Sequence, residues 1–208
     1  MPLKYDTREV THGTSRGFWA DITRDTSTGA VNIGTPQAFT GLNDVKIETK
    51  QDQSSYYADN VTHITLNGNP QTTGDLTVYQ FPKAFVTGHL GKKAMENGGL
   101  TDTGNYKSFV FGYVETVTNE FGDETELLHE FFNMQASAPT GESKSDEDKA
   151  TPVEFDIPVT ASQNNGVLDS DGKPVTELQL LKTNDNANFF ESAFDKVILP
   201  TDTPSTGQ

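Results

Sequence analysis

The sequence has no cysteine, half as many basic as acidic residues, and no long apolar run. Without cysteine there can be no disulfide framework, thiol nucleophile or thiolate zinc site. This agrees with folding in a reducing cytosol. Fifteen Lys and Arg face thirty Asp and Glu, for a formal charge of −15. Duplex DNA is gripped by clustered cations that displace its counterions, so a DNA-gripping role is disfavoured. No window approaches the ~20 apolar residues of a membrane helix. The opening MPLKYDTREV has no apolar h-region, so no signal peptide is expected. The Asn60 sequon NVT is then read as chance. Apolar residues make up only 33% of the 208 positions. A core must therefore be thin and aromatic-rich, and thirteen Phe can supply it. Thin cores suit layered β architectures and chains that finish burying surface against copies of themselves.

What is present reads mostly as strands. SRGFWADI, with the one Trp, is a first strand, followed by a turn-rich stretch with Ser-Thr-Gly at its tip. Val45–Lys50, Tyr56–Asn67, Asp75–Gln80 and Ser108–Thr118 read as further strands. SFVFGYVETV is apolar on both faces until Glu115, as in a strand covered on two sides. NEFGDE is a turn joining it to TELLHEFFNMQA, which gives a long hairpin. On the second strand Leu128, Phe132 and Met134 share one parity, and Leu127 and Phe131 the other. PVEFDIPVT alternates cleanly, with Val153, Phe155, Ile157 and Val159 on one face. Its Pro158 lacks an N–H, which predicts an edge or a bulge.

Helices are few. Pro82 followed by a short apolar face and then Gly91, Lys92 and Lys93 carries helix start and stop signals. NANFFESAFDKVILP spaces Phe190, Ala193, Phe194, Val197 and Ile198 as a helix with a strand expected after it, the alternative being strand throughout. GVLDSDGKPVTELQLLK is a hairpin turning at Asp169–Gly172. The organisation predicted is an arm over 1–13, one β domain over 14–200 and a disordered tail over 201–208. The expected class is all-β, a β-sandwich or rolled barrel with one or two short helices.

Chemistry-bearing motifs are missing. A phosphate-cradling loop would need glycine where Val86 and Val167 stand. His12, His63, His89 and His129 have no metal-ligand spacing. DSDG lacks the closing Glu of a calcium loop, whose position falls on Leu180. Glu124, Glu126 and Glu130 are better read as an acidic solvated stripe than as a paired acid and base. Tyr56 and Tyr57 are not interleaved with the cations that single-strand binders use. No catalytic, cofactor-binding or metal-ligating residue is assigned, and the chain is not expected to be an enzyme.

Several stretches together resemble the major tail protein, or tail tube protein, of long-tailed bacteriophages of Gram-positive bacteria. They are VKIETKQDQSSYYADN, LTVYQFPKAFVTGHLG, the YKSFVFGYVETVTNEFGDE hairpin with LLHEFFNMQASAP, ESKSDEDKATPVEFDIPVTA and FFESAFDKVILP. They cover most of residues 40–200. The resemblance implies a tail-tube-like β fold whose copies join edge to edge in hexameric rings. The rings stack into a tube around a tape-measure protein, and DNA is ejected through the lumen without specific binding. Further partners implied are tail-tip or distal-tail and terminator proteins. No cofactor and no membrane is involved, and the location implied is the virion after synthesis in the host cytoplasm. Glu115, Glu124, Glu126 and Glu130 are then candidates for an acidic lumen lining. Tyr56, Tyr57, Asp59 and Asn60 are candidate subunit contacts. So is the polar loop over 139–151, through Glu142, Lys144, Asp146, Glu147, Asp148 and Lys149. Two other readings are another tail ring of the same fold and a non-catalytic β-sandwich binding or adhesin module.

Overall fold

The computed structural model describes residues 7–59, 61–68, 70–142 and 152–204. The chain begins with β1 (Glu9–Arg24), β2 (Val31–Ile33), β3 (Gln37–Ala38) and β4 (Leu42–Lys50). A hairpin of β5 (Gln53–Ala58) and β6 (Val61–Asn67) leads into β7 (Gln71–Val78). Next come α1 (Lys83–His89), β8 (Lys92–Ala94) and β9 (Leu100–Asp102). The long hairpin is β10 (Phe109–Asn119) and β11 (Glu124–Ala136), followed by β12 (Thr140–Gly141) and β13 (Phe155–Ala161). β14 (Asn164–Leu168), β15 (Pro174–Val175), β16 (Glu177–Leu181) and α2 (Ala187–Glu191) complete the set, with a 3-10 turn at Ser192–Phe194.

The main sheet has ten strands, with the path β2-β1-β10-β11-β13-β7-β4. Its pairings are antiparallel, and it does not close into a barrel. β11 changes partner along its length. Leu127–Phe131 pairs with β16, and Met134–Ala136 pairs with β13.

The sheet carries a core on each face, as expected for an all-β sandwich. On one face, Phe109, Phe111 and Phe131 meet Leu76, Ile157 and Val159 beneath Phe85 of α1. On the other, Val110, Val114, Leu128 and Phe132 meet Phe190, Ala193, Val197 and Ile198. The central hairpin is therefore covered on both sides. Gly112 allows close packing across it, because a Cβ there would lie 2.3 Å from the ring of Phe18 on β1.

Several local expectations are corrected. β1 starts at Glu9, inside the stretch expected to be an arm, and pairs there with Asn119. At the other end, Asp202 accepts the Leu199 N–H at 3.1 Å, so ordered contacts run past Pro200. The expected strand Tyr56–Asn67 is part of the β5–β6 hairpin, bent at Asp59 (φ +51°). Met134 lies on the face opposite Phe132. Phe109 pairs with Met134 and Phe111 with Phe131, so β11 holds one extra residue and its alternation reverses. Pro158 is not at an edge. Its carbonyl accepts from Ser137 N–H on the same side as its missing donor, where β11 has ended and β12 has not begun. Among the described residues no strand follows α2, and Val197 and Ile198 are instead buried core residues of a non-repetitive segment.

Candidate assembly surfaces

The long hairpin does not hold its glutamates in one stripe. Paired residues in an antiparallel ladder share a face. Glu124, Glu126 and Glu130 oppose Thr118, Thr116 and Gly112, whereas Glu115 opposes Leu127 on the other face. The four expected lining residues therefore meet four different environments.

Glu124 is exposed at the start of β11. Glu126 is about two-thirds covered and sits between two cations. Arg16 reaches it from a bulge of β1, where Arg16 itself has φ +47°. Lys182 Nζ lies 2.6 Å from Glu126 and 2.6 Å from Glu191, and Arg16 also donates to Glu191 at 2.9 Å. Hydrogen bonding to these carboxylates raises the Lys182 pKa, and the Lys182 hydrogen bond lowers that of Glu191. The Arg16 guanidinium also stacks 4.4 Å from the Phe194 ring centroid. This network clamps α2 onto the sheet. Replacing Arg16 by Ala is expected to cost about 1–2 kcal/mol, since the charges are partly solvated and two cation–π contacts, to Phe190 and Phe194, go with them. Urea denaturation at low and at 1 M salt checks this, and the cost should shrink at high salt.

Glu115 belongs to a different cluster. His129 Nδ1 lies 2.8 Å from Glu177, and its Nε2 lies 3.3 Å from Glu115 without hydrogen-bond alignment. The Tyr113 ring stacks flat on His129 at 4.8 Å. Burial pushes the Tyr113 phenol pKa up.

Glu130 is fully buried, which removes it from the solvated stripe. It opposes Gly112, and its Oε1 accepts the Ile198 N–H at 3.3 Å. Its Oε2 has no hydrogen-bond partner among the described residues. Desolvation raises its pKa from 4.5 to about 8, so at neutral pH it is mainly a carboxylic acid. Sequence parity alone placed it outward. The chain that folds back onto it at Ile198 helps to make the position internal.

His89 is buried on the opposite side of the sheet. It bonds Lys107 O and Asp21 Oδ1 at 3.1 Å each, and burial lowers its pKa. It is a structural histidine beneath Trp19 and Phe109.

The second candidate surface is the β5–β6 hairpin. It forms its own two-stranded sheet as a continuation of the β4–β7 pair. Tyr56 and Tyr57 are on strand β5 and are 54% and 71% exposed. Val61, Ile64 and Leu66 are also at least half exposed or close to it. Ser54 opposes Leu66 and Tyr56 opposes Ile64, so Tyr56, Ile64 and Leu66 share one face. An isolated two-stranded ribbon is marginal in water, and one presenting this much apolar surface has not finished burying it. Asp59 supplies the turn in the left-handed region that Asp tolerates. Glu142 lies exposed just after β12. Asn60, Lys144, Asp146, Glu147, Asp148 and Lys149 lie outside the described residues.

Among the described residues, no group of His, Asp and Glu is arranged to hold a metal. No helix there is long and apolar enough to cross a membrane. A family model described as phage tail tube protein matches residues 1–207. The chain belongs to the phage tail tube protein family. No curated protein matches it. A tail tube protein is a structural component of the virion, a role that fits the open sheet and the unpartnered hairpin. The family is a non-catalytic one.

Proposed function

We propose that this tail tube protein polymerises into six-membered rings that stack into the tail tube. The tube encloses a tape-measure protein during assembly and passes DNA during ejection, in a long-tailed phage of a Gram-positive host. Tail-tip and terminator proteins close its two ends. The observation that carries this reading is the open sheet. Among the described residues β4, at one end, pairs only with β7, and it continues into the apolar hairpin. Unpaired edges invite strand addition, and a ring of copies removes them. Each copy brings a formal charge of −15, which keeps phosphates from adhering to an acidic lumen. Of the hairpin glutamates, exposed Glu124 is the one proposed to face it.

Electron cryomicroscopy of assembled tubes in end-on projection tests the ring. Six-fold symmetry around a hollow centre is the expected result. Tubes with another symmetry, or filaments without a lumen, would overturn the hexamer.

A further inference from the structure

A groove opens between α1 and the β8–β9 hairpin. Its volume is about 570 Å³, and its lining is mostly apolar. Val86 and Leu90 form its helical side, Ala94 and Leu100 its hairpin side, and Phe81 and Pro139 close it. Leu100 is 57% exposed at its lip. Lys83 and Lys92 also line the groove, and Lys93 follows on β8. Three of the chain's fifteen basic residues thus lie within eleven positions beside it.

We infer that this groove receives the β5–β6 hairpin of a second copy of the chain. The inference rests on the self-assembly reading above and adds the receptor for the hairpin. Three observations select this occupant. Tyr56, Ile64 and Leu66 form a single apolar face, the complement of an apolar groove. The hairpin carries Asp52 at its base and Asp59 at its tip, charges that complement Lys83 and Lys93 beside the groove, Lys92 being already paired with Asp102 at 3.1 Å. The ribbon is about 20 Å long, enough to project from one copy into another. Hairpin and groove are different surfaces, so the contact is head-to-tail, and each copy both donates and receives. Such contacts propagate, as a ring or a stack requires.

The absence of cysteine makes the test clean. Cysteine would replace Tyr56, Ile64 or Leu66 in turn, each combined with Leu100→Cys or Thr87→Cys. The pairs would be joined by a short flexible bis-maleimide after assembly of the full chain. All these side chains are solvent-accessible, and electron microscopy of each variant confirms that tubes form. Docking predicts loss of most of the monomer band into a ladder of covalent multimers for at least one pair, and none for single-cysteine variants. Normal tubes with no ladder in any pair overturn the groove while leaving the tube reading intact. A cross-linked product that still migrates as a monomer also overturns it, because the hairpin then folds onto its own groove. If the unmodified chain forms no tubes, the assembly reading fails, and this inference with it. As a second measurement, Leu100→Asp should slow tube growth at least about tenfold, the effect of losing ~1.4 kcal/mol per contact. An unchanged growth rate would count against the groove.

Discussion

Replacing Glu130 by Gln is expected to stabilise the protein by about 3–5 kcal/mol at pH 8 and to change little at pH 4. The sign follows from where the proton resides. Unfolded, the carboxyl ionises near 4.5; folded, desolvation holds its pKa at about 8. Between those values the folded state keeps a proton that the unfolded state has lost. The stability associated with Glu130 is therefore full below pH 4.5 and is lost as pH rises through 8, by ~1.4 kcal/mol per unit. Gln does not titrate, so the two curves diverge across that window. Its amide oxygen can still accept the Ile198 N–H that Oε1 now accepts. Urea midpoints of both proteins at pH 4, 6 and 8 read the difference directly. Parallel pH profiles would mean that Glu130 is solvated, and that the Val197–Leu199 segment does not close over it.

Truncating Phe85 to Ala should cost about 3–5 kcal/mol, within the range for a fully buried aromatic. Phe85 is wholly buried, and its ring lies 4.9 Å from Phe39, 4.9 Å from Phe109 and 5.5 Å from Trp19. It anchors a helix of only seven residues, too short to persist without packing. The melting temperature should fall by roughly 6–20 °C for a chain this size. A further consequence is local. α1 forms one wall of the groove proposed to receive the neighbouring hairpin, so assembly should weaken more than stability alone explains. Phe85→Leu, which keeps most of the volume, should restore both. A Phe85→Ala variant with wild-type melting would show that α1 is not anchored through this ring.

The features legible in the sequence were those set by alternation and turn chemistry. PVEFDIPVT gave the buried positions Ile157 and Val159 correctly. The double-sided apolar run at Phe109–Val114 correctly implied cover on both faces. Gly122 and Gly172, both at positive φ, mark the turns expected at NEFGDE and DSDG. Pro82 precedes α1, as its missing N–H requires.

Other features depend on contacts that no local pattern encodes. The extra residue between Phe131 and Met134 reverses parity, and nothing in TELLHEFFNMQA announces it. Glu130 has the parity of its solvated neighbour Glu124, yet a segment nearly seventy residues away covers it. Arg16 stood out in no motif, although it ties β1 to Glu126 and Glu191. Pro158 obeyed the rule that a missing donor must face a gap, but the gap is a strand break inside the sheet. The candidate assembly residues divide in the same way. Tyr56 and Tyr57 stand out in the sequence, but Tyr56–Asn67 reads there as one strand and not as part of a hairpin turning at Asp59. The groove that complements it exists only once α1 and β8–β9 are packed together.

The most direct test of self-assembly is negative-stain electron microscopy of the purified chain at high concentration, alone and with a tail-tip complex to nucleate growth. Hollow tubes or rings are expected in at least the nucleated sample, with light scattering showing a matching rise in mass. A chain that stays strictly monomeric in both samples would contradict self-assembly.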